Sequence, residues 1–207
     1  RLGLAGHTAV FFMSDNGGLS TSEGSPTSNV PLRAGKGWLY EGGIREPMIV
    51  RWPGVVKPGS VCRVPAISTD FYPTMLEMAG LPPKPAQHVD GVSLVPLLKQ
   101  TGPIAPRALY WHYPHYGNQG GSPAGAVRLG DWKLVEFFED GRLELYNLKN
   151  DLGEQRNLAG QQPEKVAELH RMLKDWRKAV GARMPSANAS RKAAVQVPER
   201  PLVSLGD

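Results

Sequence analysis

The stretch Met13-Ser14-Asp15-Asn16-Gly17-Gly18 closes an apolar run over residues 8–13. The run is short and rich in β-branched and aromatic residues, which predicts a fully buried strand of the parallel type. A strand that ends here delivers a carboxylate and a carboxamide to its C-terminal edge, where open α/β sheets bind ligands. Asp15 and Asn16 are hard oxygen donors that suit calcium. The alternative is a plain turn, because Asp, Asn and Gly all form turns without a metal.

A second Gly-rich segment follows a polar loop over residues 19–30. In it, Lys36 lies between Gly35 and Gly37. Glycines let the backbone approach a bound group closely, and the ammonium adds a point charge, so an anion is the natural partner. The alternative is an exposed lysine in a flexible turn.

The middle of the chain alternates between short elements and irregular connections. Residues 48–52 read as another strand, which Pro53-Gly54 ends. Asp70 is a candidate N-cap for a helix that reaches about residue 79, and Gly80 suits the stop of that helix. A short helix is predicted over residues 93–99.

The pattern changes near residues 102–106, and alternating apolar residues follow. They predict a small antiparallel sheet with tight turns at 130–131 and 140–141. Its four strands are expected over residues 108–113, 126–129, 132–138 and 143–147. An amphipathic helix from Pro163 to about residue 180 is expected to pack across this sheet. Its apolar stripe consists of Val166, Leu169, Leu173, Trp176 and Val180.

Charge and composition exclude several classes of function. The net charge is +5, but residues 1–170 hold 16 basic and 16 acidic side chains, and the excess lies on the last helix and tail. That distribution indicates a solvated face, so no nucleic-acid partner is expected. No apolar run reaches the length of a membrane span. The single cysteine, Cys62, excludes an internal disulfide and a cysteine-rich zinc site.

In this order the motifs closely resemble the C-terminal half of type I sulfatases, which belong to the alkaline phosphatase superfamily. The resemblance covers about residues 8–180, and ordered motifs over that length are far more specific than a lone Asp-Asn-Gly-Gly. It rests on Ser-Asp-Asn-Gly-Gly at 14–18, Gly-Lys-Gly at 35–37, Glu-Gly-Gly-Ile-Arg-Glu-Pro at 41–47, Arg-Trp-Pro-Gly at 51–54, Asp-Gly-Val-Ser-Leu at 90–94, Gly-Asp-Trp-Lys-Leu at 130–134 and Leu-Tyr-Asn-Leu at 145–148.

The resemblance implies an α/β fold, namely the C-terminal part of an alkaline-phosphatase-like α/β sandwich plus a small antiparallel-sheet-and-helix subdomain. Residues 1–104 are expected to be the remainder of the α/β catalytic domain, residues 105–183 the subdomain, and residues 184–207 an extended tail. The chain opens without Met and enters the first strand almost at once, so we expect a fragment whose N-terminal part is absent.

The family also implies roles for individual residues. Asp15 and Asn16 would help bind calcium beneath the sulfate, and Lys36 would contact the sulfate oxygens. Such a cation set is physically sensible, because attack at sulfur builds charge on its oxygens. Arg45 is expected to be structural, pairing with Glu41, Glu46 or loop carbonyls.

The departures from the family pattern concern the nucleophile. Family members make formylglycine from a Cys or Ser that is followed by Pro or Ala at the second position and Arg at the fourth. Cys62 is followed by Arg-Val-Pro-Ala and does not fit, and the nearest serine, Ser122, lacks the Arg. The family's other calcium aspartates normally lie upstream. The 207 residues alone are therefore expected to lack formylglycine and half the calcium site, and to be inactive.

His112 and His115 lie in an aromatic stretch, residues 111–117, ahead of a Gly-rich loop. They are candidates for lining a substrate pocket, because Tyr and Trp suit stacking on a sugar or an aryl ring. The alternative is a strand end whose aromatics pack on the last helix. A zinc site is not supported, since no third ligand is near.

The leading hypothesis is the C-terminal part of a calcium-dependent sulfatase acting on a sulfated carbohydrate or an aryl sulfate. Two alternatives stay open: a phosphomonoester or phosphonate hydrolase of the same superfamily, and a non-catalytic remnant that acts as a binding module. Family analogy implies a periplasmic, secreted or lysosomal location. An unpaired sheet edge and bare apolar surface would favour self-association of the chain.

Overall fold

A computed structural model of the chain describes residues 2–21 and 27–186, so the predicted tail lies outside the described residues from position 187 onward. Over the described residues, no helix combines the length and the apolar character that a membrane span requires. The strands are β1 (Val10–Met13), β2 (Met48–Arg51), β3 (Ala108–Tyr113), β4 (Ala124–Leu129), β5 (Trp132–Phe137) and β6 (Leu143–Asn147). The helices are α1 (Glu41–Ile44), α2 (Phe71–Met78), α3 (Val95–Leu98) and α4 (Pro163–Ala179), with 3₁₀ turns at Leu4–His7 and Ser68–Asp70. The predicted elements are confirmed to within two residues, whereas α1 was not predicted.

β1 differs from the prediction of a buried parallel strand. It pairs antiparallel with β2, with Phe12 opposite Ile49, and both of these side chains are more than 60% exposed. The other face carries Phe11, whose ring centroid lies 5.6 Å from that of Phe71 in α2. An apolar run predicts burial only where layers cover both of its faces, and the described residues supply one layer. The prediction of a fully buried strand is therefore wrong for this structure.

The predicted four-stranded sheet is confirmed, with antiparallel order β3-β4-β5-β6. Gly130 and Gly141 lie in its tight turns with φ of +59° and +70°, a conformation that glycine adopts without strain. The packing of α4 on one face of this sheet is also confirmed. Val180 is an exception, because the helix ends at Ala179 and Val180 is 48% exposed. The fully buried residues of the interface are Val127, Leu134, Leu145, Leu169 and Leu173.

The opposite face of the sheet is covered by residues 33–44, which we call the Lys36 loop. Tyr40 is buried in this layer, and Ala34, Trp38 and Leu39 pack around it. Its sheet partners are Ala124, Ala126, Val135, Phe137, Tyr146 and Leu148. The sheet is therefore the middle of three layers, and the Gly-rich segment that carries Lys36 is part of its packing.

Asp70 precedes α2 as predicted, but its carboxylate does not cap the first turn of that helix. It is fully buried and accepts hydrogen bonds from the amides of Ile67 (2.9 Å) and Val92 (3.0 Å), while Arg107 pairs with it. The carboxylate joins three segments because a buried charge needs several partners. Gly80, with φ of +67°, is confirmed as the stop of α2.

Candidate functional site

The motif at the end of β1 and the Glu-Gly-Gly motif of α1 touch through their backbones. The Gly17 amide donates to the Gly43 carbonyl at 3.2 Å. A Cβ built on Gly17 would lie 1.8 Å from the carbonyl oxygen of Gly42, so no larger residue fits without a backbone shift. Glycine is required here for close approach, and the contact fixes the turn at Asp15 and Asn16 against α1.

The Gly-Lys-Gly motif joins the same junction. The Lys36 amide donates to the carbonyl of Gly18 at 3.2 Å, and Asn29 Nδ2 donates to the same oxygen at 2.8 Å. A Cβ on Gly35 would lie 2.2 Å from that oxygen. Ala34, just before the motif, has φ of +58°, a conformation that a non-glycine residue adopts only under constraint. Three separate glycine motifs thus form one compact junction.

A cleft of about 430 Å³ opens beside this junction. The turn after β1 and the start of β2 form one of its sides, and the edge strand β3 forms another. The Lys36 loop and residues 66–68 complete it. Its polar and aromatic lining consists of Ser14, Asp15, Asn16, Glu46, Ser68, Trp38, Phe71, Trp111, His112 and Tyr113.

The structure brings together some of the predicted site residues. Asp15, Asn16 and His112 all line the cleft. Lys36 is half-buried and is not among the lining residues, although its neighbour Gly37 is. His115 is exposed, its ring meets the ring of Tyr113 edge-on at 5.5 Å, and it is not among the described residues that line the cleft. The binding roles assigned to these residues remain predictions.

Glu46 adds a second carboxylate to the cleft. Burial, and then the charge of Asp15, raise the pKa of Glu46. Its Oε1 atom is shielded from solvent and has no hydrogen-bond partner among the described residues. A cation beside these two carboxylates would relieve their repulsion, so the donor set fits a hard dication. Over the described residues no three His, Cys, Asp or Glu side chains converge on a metal position, so the ligand set is partial.

The tautomer of His112 follows from its partner. Its Nε2 lies 2.9 Å from the carbonyl oxygen of Arg183. A carbonyl only accepts hydrogen bonds, so Nε2 carries the proton and Nδ1 is left as an acceptor. Nδ1 is shielded from solvent and has no partner among the described residues. The contact also brings the segment that follows α4 to the side of the cleft.

The predicted pairing of Arg45 with Glu41 is confirmed, since Arg45 Nη1 lies 3.7 Å from Glu41 Oε2. A second ion pair of Glu41, made in the interior, was not predicted. Its carboxylate is buried and also pairs with Lys133 of β5, which is fully buried. The Glu-Gly-Gly and Asp-Trp-Lys motifs, 92 residues apart, thus meet inside the protein. The sequence signals this contact only in that each of the two motifs contains a charged residue of opposite sign.

Comparison with models of protein families shows to which family the chain belongs. A family model described as "N-sulphoglucosamine sulphohydrolase, C-terminal" matches residues 34–179, which is more than half of the chain. The chain belongs to the sulfatase family. The matched region begins at the Lys36 loop and ends with α4, so it contains the sheet and the layer on each of its two faces.

Individual sulfatases agree with this assignment. A sulfatase from Formosa agariphila is 39% identical over an alignment of 189 positions, which covers 84% of this chain and 34% of that protein. Human arylsulfatase A is 36% identical over 181 residues, covering 77% of this chain and 35% of its own length. The chain therefore spans about a third of the length of the curated relatives it matches.

Two solved structures of related proteins share the fold. An enzyme in complex with its substrate D-glucosamine-2-N,6-O-disulfate matches with a TM-score of 0.70 and 30% identity, over 86% of this chain and 35% of that one. A phosphonate monoester hydrolase from Silicibacter pomeroyi matches with a TM-score of 0.54 and 29% identity, over 70% of this chain and 31% of its own. The expected fold class is confirmed at the level of a mixed α/β structure that corresponds to the C-terminal part of sulfatases.

Proposed function

We propose that this chain forms the C-terminal part of a calcium-dependent sulfatase that hydrolyses sulfate esters. The observation that carries the proposal is the glycine junction, which holds Asp15, Asn16 and the Lys36 loop beside one cleft. A sulfate ester is a tetrahedral anion, and its hydrolysis needs positive charge held in a fixed place. The junction meets that need because its tight backbone contacts leave the loop little freedom.

Each residue has a separate part in the proposed chemistry. Asp15 and Asn16 hold the cation through their side-chain oxygens, and Glu46 adds negative charge next to them. When bound, calcium supplies positive charge at a sulfate oxygen. Lys36 binds another sulfate oxygen through its ammonium. Cys62 is exposed and its sequence context does not fit formylglycine, so the proposal places the nucleophile outside these 207 residues.

The substrate class we propose is a sulfated carbohydrate. Trp111, His112 and Tyr113 line the cleft along the edge strand β3, which gives it an aromatic and hydrogen-bonding wall. Sugars present apolar faces that stack on aromatic rings and hydroxyls that need acceptors. The protein solved with its substrate D-glucosamine-2-N,6-O-disulfate shares 30% identity with this chain, which supports the same class of substrate.

The test uses a joined enzyme, by which we mean this chain preceded by the N-terminal two-thirds of the Formosa agariphila sulfatase. We expect it to release sulfate from a sulfated glucosamine only when calcium is present. The 207-residue chain alone should release none. Lys36→Ala in the joined enzyme should lower kcat/KM by about 100-fold or more, since it removes one preorganised cation from the anion.

The matched control is Lys149→Ala, which removes an exposed lysine from a turn that is not part of the cleft lining. It should leave turnover unchanged. The proposal would be wrong if Lys36→Ala retained full activity, or if the joined enzyme hydrolysed a phosphonate monoester faster than a sulfate ester.

A further inference from the structure

The Lys36 loop is held against the sheet by buried charges rather than by apolar packing alone. Lys133 Nζ lies 3.0 Å from Glu41 Oε1 and 2.8 Å from Glu154 Oε1. All three side chains are at most 2% exposed. Glu41 begins α1 in the Lys36 loop, Lys133 lies in β5, and Glu154 follows β6. One ammonium thus joins the loop to two parts of the sheet subdomain.

Glu154 makes a second contact with the loop. Its Oε2 accepts a hydrogen bond of 2.6 Å from the Glu41 amide. Its backbone carbonyl accepts one of 2.7 Å from Arg33 Nη1. Glu154 has φ of +51°, a strained conformation for a residue with a side chain, and such strain persists only where surrounding contacts impose it. Contacts with both ends of the loop, at Arg33 and Glu41, impose it here.

The charges within the cluster balance. Arg128, 17% exposed, lies 3.4 Å from Glu41 Oε2, so two carboxylates face two cations, and the half-exposed Arg45 lies at the edge. Removing one member of such a buried set leaves an uncompensated charge. Glu41 is the first residue of α1, so these ion pairs hold the start of α1 against the sheet.

The contacts continue from Glu41 to the proposed site through the glycine junction. The Gly42 amide donates to the Arg33 carbonyl at 2.8 Å, which closes the loop on itself. Gly42 and Gly43 then contact Gly17, two residues from Asp15. Lys36 lies between these two attachments. A shift of Glu41 would move both the loop that carries Lys36 and the surface on which the Asp15 turn rests.

We propose that Lys133 and Glu154 are positioning residues of the sulfatase site, which act through Glu41 to hold the Lys36 loop in place. The inference rests on the proposed function only for its catalytic consequence. In this proposal the small C-terminal sheet is a rigid support for the Lys36 loop. Neither residue lines the cleft, so their effect on substrate is indirect.

Amide hydrogen exchange in the 207-residue chain tests the anchoring itself. The reporters are the amides of Lys36, Gly42 and Gly43, none of which donates to Glu154. Glu154→Gln keeps the shape of the side chain and removes its charge. We expect it to speed exchange at these amides at least 10-fold, while the amides that pair β4 with β5 keep their protection.

Glu136→Gln is the matched control. Glu136 is a part-buried carboxylate of the same sheet, but it pairs with His170 and Arg177 of α4 and does not touch the Lys36 loop. It should leave the reporter amides unchanged. Equal protection of those amides in Glu154→Gln and wild type would overturn the proposal. So would a rise of the same size across the whole sheet.

The joined enzyme separates this inference from the proposed function. In it, Glu154→Gln should lower kcat at least 10-fold and change KM for the sulfated sugar less than threefold, with Glu136→Gln close to wild type. Full kcat in Glu154→Gln alongside fast loop exchange would overturn the positioning role and leave the sulfatase function standing. A joined enzyme without sulfatase activity would instead refute the proposed function, and the exchange data would still decide the anchoring.

If Glu154→Gln fails to fold, the triple variant Glu41→Gln, Lys133→Met, Glu154→Gln replaces it. This variant removes the three fully buried charges, and the one cation left without its carboxylate, Arg128, is 17% exposed and can be hydrated. Positioning by charge requires that it fold and still show fast exchange at Lys36. Wild-type exchange in the folded triple variant would overturn the proposal.

Discussion

Tyr40 and Tyr146 show how a single carboxylate can tie two layers together. Both hydroxyls donate to Glu144 Oε2 at 2.7 Å, and Arg33 donates to the Tyr146 hydroxyl at 2.9 Å. Burial, and then the hydrogen bond to Glu144, raise the pKa of both tyrosines well above 10.0. The tyrosines are therefore neutral donors at neutral pH, and ionising them would break the link.

These raised pKa values lead to a pH prediction. A group whose folded pKa lies above its unfolded pKa contributes stability that is complete below the unfolded pKa and is lost as pH rises above it. We expect the Tm to hold up to about pH 10, the unfolded tyrosine pKa, and to fall beyond it. Tyr146→Phe should lower the Tm at neutral pH and make the decline above pH 10 shallower, as measured by circular dichroism from pH 8 to 12.

Tyr116→Phe provides the control for this titration. Tyr116 is 69% exposed and donates to Glu139 on the surface. Its removal should leave the alkaline slope as in wild type. Identical slopes for wild type and Tyr146→Phe would contradict the assignment of the alkaline loss to the buried tyrosines.

At the scale of elements, the glycine junction between the β1 turn and α1 is the contact that leaves the least room for a side chain. Gly17→Ala would drive a methyl group into the carbonyl of Gly42, whose oxygen lies 1.8 Å from the built Cβ. Overpacking of this kind costs about 1–3 kcal/mol when the backbone has to move. We expect that loss in the free energy of unfolding, measured with urea.

Gly6→Ala is the matched substitution, because a Cβ at Gly6 meets nothing within 4 Å. It should change stability by less than about 0.5 kcal/mol. A Gly17→Ala chain as stable as Gly6→Ala would show that the two motifs are not in the contact described here.

The regular elements of the sheet subdomain followed from sequence because their information is local. Alternation identified β3 to β6, and helical spacing identified α4, down to the burial of Leu169 and Leu173. Asp70 was placed correctly as the residue before α2, but its partners Ile67, Val92 and Arg107 could not be read from a pattern. Those partners depend on how distant segments meet.

The candidate site divides in the same way. Asp15, Asn16 and Lys36 were selected because their motifs occur in family order, and the first two do line the cleft. Residues 151–154 belong to a family motif, but the burial of Glu154 was missed because its polar neighbours Asp151, Gln155 and Arg156 are typical of an exposed turn. Lys133 lies in an alternating strand in which a lysine normally faces water, and only the covering layer at Tyr40 and Glu41 explains its burial.

At the scale of the whole molecule, the β1–β2 pair presents a bare apolar face. Val10 (46% exposed), Phe12 (61%) and Ile49 (63%) are neighbours on this face. Exposed apolar faces on two-stranded ribbons favour association with other chains. We expect the purified 207-residue chain to show a mass that rises with concentration in light scattering coupled to size exclusion.

The double variant Phe12→Lys, Ile49→Lys should return the chain toward the monomer mass, because two cations oppose close contact of the faces. Val61→Lys is the control, since Val61 is 78% exposed, lies outside the strands and should not alter the mass. A wild-type chain that stays monomeric at every concentration would refute the expected self-association.

The wide separation of the loop's contacts along the chain has a consequence for biosynthesis. Arg33 and its acceptor at Glu154 are 121 residues apart. At a translation rate of about 5–20 residues per second, roughly 6–24 s pass between the emergence of the two from the ribosome. Until Lys133 and Glu154 have both emerged, the buried charge cluster that holds the Lys36 loop is incomplete. The Lys36 loop therefore reaches its final shape late, only after most of this chain has been synthesised.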